Sequence, residues 1–303
     1  MTEKQNRKRT GIFFCGFLCA IGIGAAGGAK PAAASPVITS GEIQRLEIVR
    51  DGETVMEISR EPAEYKMDFD YWEITDPYDE TATVDTEAMY ALFDTVSGLR
   101  FLKEVSAEEP GIKEADTWIE VDYAKGSEET ENTARILIGN TDNKGGYCVA
   151  YEDEPDKIFH ADAERLDSIL DSNPFDYILK IPALVNIETV ESVEMAIGND
   201  QFVMSAEDQK YYFGGKKVKK EAYIELYQAL LTVFLDSETA GEENEEPLLK
   251  VVFHRNMEEA PEICLEYASC GQDMASLSVN GEKRFLVKKG EVQALIGQIK
   301  KVF

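Results

Sequence analysis

The sequence predicts an α+β protein built from tandem-duplicated units of antiparallel β-strands, each followed by a covering α-helix. Three observations predict it: short segments that alternate apolar and polar residues, turn residues between them, and stretches with apolar residues at helical spacing. From Ile43 to Ile58 two alternating segments flank Asp51-Gly52, which reads as a hairpin. Trp72-Glu-Ile74 continues as a strand and Pro77 ends it. Asp85 then caps a helix whose face carries Met89, Leu92, Phe93, Val96 and Leu99. Trp118–Tyr123, Ala134–Ile138, Tyr147–Tyr151 and Lys157–Phe159 read as four further strands. Asp162 caps a second helix with Leu166, Ile169 and Leu170 on one face.

Lys180–Asn186 reads as a connection, after which the programme recurs. Val190–Met195 repeats the rhythm of Ile43–Ile48, Gly198-Asn-Asp200 replaces the Asp-Gly turn, and Tyr211–Phe213 takes the place of the aromatic strand. The third helix face is Tyr223, Leu226, Tyr227, Leu230, Leu231 and Phe234. In the last unit one constant offset carries Gly145 onto Gly271, Cys148 onto Met274, Lys157 onto Lys283 and Phe159 onto Phe285. The same offset carries Leu166, Ile169 and Leu170 onto Val292, Leu295 and Ile296. Turn, strand and helix positions that agree under one shift point to internal duplication. The predicted organisation is therefore an N-terminal segment over 1–34, a first half over 41–180 and a second over 187–303.

The 303 residues carry 31 Lys plus Arg against 58 Asp plus Glu, a formal charge of −27. Such a charge argues against sequence-independent nucleic-acid binding, which rests on a cationic surface. Lys4, Arg7, Lys8 and Arg9 precede an apolar, small-residue run from Gly11 to Ala29, and Ala32-Ala-Ala34-Ser35 then supplies an A-x-A cleavage pattern. That order reads as a secretory signal peptide. A retained membrane anchor is the alternative, since the run is nearly long enough to span a bilayer; lipid attachment at Cys15 or Cys19 is a third. In either leading case the chain after Ser35 is exported, extracellular or at the cell envelope. Beyond this segment Cys148, Cys264 and Cys270 remain, an odd number that implies no disulfide framework. Cys148 and Cys264 read as buried strand residues. A Cys264–Cys270 bridge would need a tight hairpin between them.

Trp72-Glu-Ile-Thr-Asp-Pro77 before a helix, then Ile136-Leu-Ile-Gly139 leading to Gly146-Tyr147, resembles the bacterial family catalogued as domain of unknown function 4340. The resemblance covers residues 43–235 and reaches the last unit through the internal repeat. It implies an envelope-associated protein, an accessory of an ABC-type transport system, with no catalytic residue to carry over. Members of that family usually keep the N-terminal segment as an anchor, and Ala32-Ala-Ala34 departs from that pattern.

His160 and His254 have no third histidine and no cysteine at ligand spacing, so a structural zinc site lacks its ligands. Neither a G-x-S-x-G elbow nor a Cys-His-Asn arrangement is present. Asp68-Phe-Asp70-Tyr-Trp72 sets two acids beside two aromatics, a pattern that suits sugar recognition or acid–base work. Alternation would place the three on one face, with Trp72 entering the core. Thr141–Gly146 has calcium-loop residues without the EF-hand register and reads as a hairpin turn. Gly214-Gly215 followed by Lys216, Lys217, Lys219 and Lys220 forms the one basic cluster after residue 34. It lacks the full phosphate-loop signature and reads as a solvated turn, or as a dock for an acidic partner such as the run 236–246, itself read as a solvated loop. No catalytic, cofactor-binding or metal-binding residue is assigned, and no cofactor is expected.

The sequence thus leads to the expectation of an exported, non-enzymatic protein that works through a protein partner at the envelope, without nucleic acid, and touching membrane only through an uncleaved N-terminal segment. The alternative is an extracytoplasmic binding protein for a small ligand or cation, which would need a concave site between the halves.

Overall fold

Asp51 and Gly52 adopt left-handed backbone, with φ of 53° and 78°, and close a two-residue hairpin between β1 (Ile43–Arg50) and β2 (Glu53–Ser59). The computed structural model describes residues 38–60, 72–78, 82–104, 109–124, 131–142, 145–239, 246–258 and 260–303. The predicted N-terminal segment and the acids Asp68 and Asp70 lie outside the described residues.

β3 (Glu73–Asp76) adds to the hairpin and stops at Pro77, as expected. α1 (Thr86–Ser97) follows, capped by the Asp85 carboxylate, which accepts from the Glu87 and Ala88 amides. Then come β4 (Phe101–Glu104), β5 (Trp118–Ala124), β6 (Glu131–Thr141), β7 (Tyr147–Tyr151) and β8 (Phe159–Ala161). α2 (Ala163–Leu170) is capped by Asp162. The eight strands form one antiparallel sheet in the order β3-β2-β1-β5-β6-β7-β8-β4. The two sets of strands read from the sequence therefore meet at the β1–β5 pair and make one continuous sheet. Alternation sends Leu46, Ile48, Ile119 and Val121 to the helix-covered face, all essentially without solvent exposure, while Arg45, Glu47, Glu120 and Asp122 line the other.

The second half supplies β9 (Val190–Ile197), β10 (Asp200–Glu207), β11 (Lys210–Phe213), β12 (Lys216–Val218), α3 (Lys220–Leu230), β13 (Leu235–Glu238), β14 (Glu246–Arg255), β15 (Glu262–Cys270), β16 (Met274–Val279), β17 (Glu282–Lys288) and α4 (Lys289–Val302). Its sheet order is β12-β11-β10-β9-β14-β15-β16-β17-β13, again antiparallel throughout. The fold is accordingly α+β, with two large antiparallel sheets and four α-helices among the described residues.

Several details differ from expectation. α3 ends at Leu230, so Leu231 and Phe234 fall beyond it, and Phe234 is 53% exposed while Val233 takes the buried position. The first residues of the expected acidic loop form β13, where Glu238 pairs in register with Phe285; residues 240–245 are not described. Cys264 and Cys270 share the single strand β15, about 20 Å apart at strand rise. A disulfide needs Cα atoms within about 7 Å, and both thiols are free. The parity of β15 buries Ile263, Leu265 and Tyr267 and turns Cys264 to the opposite, half-exposed face, against the reading of Cys264 as core.

One apolar cluster runs through both halves. Val84 bridges to Ile178, and Lys180 carbonyl oxygen accepts from the Leu235 amide at 3.0 Å. The Lys180 ammonium lies 3.9 Å from the centre of the Phe175 ring and donates to the Ile178 carbonyl at 3.1 Å. Burial draws the Lys180 pKa below its ordinary value, opposed in part by Asp176, Asp85 and Glu238. Tyr78 packs its buried ring 5.7 Å from that of Phe285 and donates to Glu238 at 2.8 Å, and Arg284 donates to the Pro77 carbonyl. Phe175 approaches Phe285 from the linker side at 6.2 Å. At these residues the junction is filled by side chains.

Candidate functional site

The residues weighed from the sequence take mostly structural positions. Trp72 is buried against Phe93 of α1, ring centres 5.1 Å apart, so its aromatic surface belongs to the core. β6 ends at Thr141 and β7 begins at Tyr147, and the Asp142 carboxylate accepts from the Gly146 amide at 3.0 Å. Its other oxygen lies 2.6 Å from Nδ1 of His160. The imidazole lies so close over Gly146 that a Cβ there would sit 2.1 Å from Cε1 of His160. Cys148 is the cross-strand partner of His160, yet burial, then the Asp142 charge, raise its thiol pKa, which disfavours a thiolate nucleophile. His254, on central strand β14, has Nδ1 3.0 Å from Glu262 of β15 and Nε2 3.6 Å from Glu194 of β9. Among the described residues no group of three or more His, Cys, Asp and Glu side chains is arranged to hold a metal ion.

The open face of the first sheet carries an ion lattice that the sequence reading did not find. Register aligns Glu57, Glu47, Glu120 and Arg135 directly across β2, β1, β5 and β6. Three carboxylates in one cross-strand row repel each other, and the neighbouring arginine offsets this. Arg45 donates from Nε to Glu57 and from Nη1 to Glu120, each at 2.7 Å, and its Nη2 lies 3.1 Å from Glu47. Arg135 donates to Glu120 at 2.6 Å and to Glu152 at 2.8 Å while stacking 5.4 Å over Trp118. Burial alone would lower the Arg45 pKa, but the hydrogen bonds to Glu57 and Glu120 outweigh it and hold the guanidinium charged. Burial likewise acts to raise the Glu120 pKa, and the bonds from Arg45 and Arg135 bring it below the usual value. The signal was present in the alternation of Arg45, Glu47, Glu57, Glu120, Asp122 and Arg135, but it required knowing which strands are neighbours.

A concave site forms at one end of the second sheet, where β9 begins, β10 ends, β11 begins and β12 ends beneath the first turn of α3. The cleft encloses about 890 Å³. Val190, Ala206, Val218 and Ile224 give it apolar walls beside the Tyr211 ring, and its rim carries charges of both signs. Lys217 and Lys220 belong to the basic cluster singled out from the sequence; Glu188, Glu191, Glu207 and Asp208 were not singled out. Gly214 and Gly215, both at positive φ, close the β11–β12 turn that brings the lysines here. Tyr223 stands behind Tyr211, ring centres 4.9 Å apart, and burial pushes its hydroxyl pKa up to about 12. Size and lining suit a small-molecule or peptide ligand.

Comparison of the chain with family models, with curated proteins and with solved structures finds no match, so the functional reading rests on geometry and sequence.

Proposed function

We propose that the chain is an exported protein of the cell envelope that acts without catalysis, through contact with a protein partner, as an accessory of an ABC-type transport system. The observation that carries the contact part is the open face of the first sheet, on which Arg45 and Arg135 hold five acids by ion pairs. Charges fixed by mutual hydrogen bonds are preorganised, so a basic partner face can meet them with little ordering cost. The basic, apolar and small-residue order over residues 4–35 supports export. Among the described residues no helix is long and apolar enough to cross a membrane, and the anchor in this reading is the N-terminal segment over 1–34.

The matching strand orders support the further reading that the halves arose by duplication. β1 and β9 each follow a 3-10 turn and run for eight residues, each sheet places that strand beside the one that opens its second set, and the strand after the first helix lies at a far edge in both. The resemblance to the domain of unknown function 4340 family is part of the same proposal.

The test is to fractionate the producing cell and read the mature N-terminus by mass spectrometry. An intact N-terminus in the membrane fraction, with a transport protein that co-purifies and is released by salt, is the expected result. A soluble exported protein starting at Ser35 overturns the anchored accessory. It leaves the second reading, an extracytoplasmic binder of a small ligand, although the cleft beneath α3 is lined by the second half alone and is not the site between the halves which that reading expected.

A further inference from the structure

Residues 210–220 hold five lysines and no acid, and residues 297–303 hold two more lysines and no acid. The fold brings the two stretches together. Phe303, after the last turn of α4, packs its ring 5.2 Å from that of Phe213 on β11, and a Cβ at Gly214 in the β11–β12 turn would lie 3.6 Å from it. Lys300 and Lys301 thus stand within one helical turn of the residue that covers this hairpin. Register sets Lys216 opposite Phe213, on the helix-covered face, and Lys217 opposite Tyr212, on the open one, so charge wraps both sides of the edge strand β12.

Among the lysines whose side chains are described, these seven make no ion pair and no hydrogen bond, and every other one has a partner. Acids to pair them are in surplus in a chain of net charge −27. Lys219 takes the N-cap of α3 without a capping hydrogen bond and Lys220 follows it, both against the helix dipole. Guarding β12 against edge-to-edge pairing would explain Lys216 and Lys217 but not these two. Repulsion kept where neutralising residues are plentiful points to an anion outside the chain.

The residue type selects the class of anion. All seven are lysine, whereas contacts between proteins favour arginine, whose planar fork grips carboxylates in fixed geometry, and are poor in lysine. The lattice on the first sheet has that protein-facing character, with Arg45 and Arg135 each donating to two acids. Unbound ammonium groups on flexible stems make instead a diffuse positive layer, which suits a fluid surface of headgroup phosphates. Apolar side chains stand among them, as they do on segments that rest at the headgroup boundary. Val302 follows Lys301, and the Val203 carbonyl accepts from the Gly214 amide at 2.9 Å; each side chain is 41% exposed.

We propose that this lysine edge docks on an anionic membrane, laying β12 and the last turn of α4 against the lipid phosphates. It is a second membrane contact, beyond the N-terminal one expected from the sequence, and it leaves the acidic face of the first sheet to the protein partner. It rests on the export part of the proposed function, which brings the chain to a membrane.

The full chain is sedimented with vesicles of phosphatidylcholine alone and of equal parts phosphatidylcholine and phosphatidylglycerol, in about 0.1 M salt, where charges beyond about 10 Å are screened. Two quadruple variants carry the same charge change. One joins Lys216→Gln, Lys217→Gln, Lys219→Gln and Lys220→Gln; the other joins Lys113→Gln, Lys157→Gln, Lys250→Gln and Lys288→Gln. The N-terminal segment is common to all three proteins, so its own insertion cancels in the comparison. Each lysine at such a surface contributes about fivefold, so the edge variant should bind the charged vesicles at least about a hundredfold more weakly. It should bind neutral vesicles unchanged and melt no lower than wild type, since its lysines hold no partner. The second variant should keep wild-type binding. Equal binding by the two variants, or a wild type indifferent to lipid charge, overturns the docking surface. A wild type that ignores charged vesicles but holds hexaglutamate through the edge lysines overturns the membrane and assigns an acidic protein instead. Vesicles test the edge wherever the cell places the chain, so its failure is distinct from failure of the export reading, which fractionation decides.

Discussion

Tyr78 offers a test of whether the two sheets fold as one body. It follows the edge strand of the first sheet, is 1% exposed, packs at a tilt against Phe285 of the second, and donates its hydroxyl to Glu238 of β13 at 2.8 Å. Tyr78→Phe keeps the ring and removes the hydroxyl. A hydrogen bond to a charged acceptor contributes about 1.5–3 kcal/mol; Glu238 is exposed enough to recover part of this from water, so the expected loss is about 1.5 kcal/mol. Tyr78→Ala also deletes a buried aromatic ring at the junction, a change that costs about 3–5 kcal/mol in packed interiors. Both tryptophans, Trp72 and Trp118, lie in the first half, so their fluorescence reports that half while far-ultraviolet circular dichroism reports both. In urea, wild type and Tyr78→Phe should give coincident fluorescence and dichroism transitions, with the variant's midpoint lowered. Tyr78→Ala should separate the two, the fluorescence transition coming first. A loss below about 0.5 kcal/mol for Tyr78→Ala, with transitions still coincident, would refute the view that this contact couples the sheets.

Arg45→Leu should leave Glu47, Glu57 and Glu120 in one row with Arg135 alone, lowering stability by about 2 kcal/mol, and Glu47→Gln in the same chain should recover part of it; denaturant titration measures both. Because Glu120 has a depressed folded pKa, its contribution is complete above the unfolded value of about 4.3 and lost as pH falls through the lower folded value. Melting temperature should therefore drop more steeply below pH 4 in wild type than in Glu120→Gln. Gly139→Ala would bring a Cβ to 2.1 Å from the Pro110 carbonyl oxygen, so the 109–114 segment should become sensitive to limited proteolysis while the sheet persists. Alkylation of the denatured, unreduced protein should modify Cys148, Cys264 and Cys270 alike, and a mass lacking two adducts would contradict the shared strand of Cys264 and Cys270.

What could be read before folding, and what could not, follows from the range of the forces involved. Asp51-Gly52, Asp85 and Asp162 act on their own backbone neighbours, and hairpin and both caps stand where the sequence puts them. The helix face of Leu166, Ile169 and Leu170 is buried because its period is set within one turn and a half. The merging of two strand sets at β1–β5 depends on pairing residues some seventy positions apart, Ile48 with Ile119, which no local pattern encodes. Long-range pairing likewise hid the Arg45 lattice, and it hid β13, whose acidic sequence reads as solvated until Phe285 pairs with Glu238. The cleft was hidden for a different reason. Glycine is the strongest local mark of a two-residue turn, and the β10–β11 turn does without it, so the segment from Val203 to Tyr211 carries no hairpin signal. A local rule broken at the rim of a concave, charge-lined site is where sequence reasoning should fail if selection has acted on the side chains rather than on the turn. Glycine in place of Gln209 should therefore relieve the left-handed strain and raise the melting temperature, which thermal unfolding reads directly.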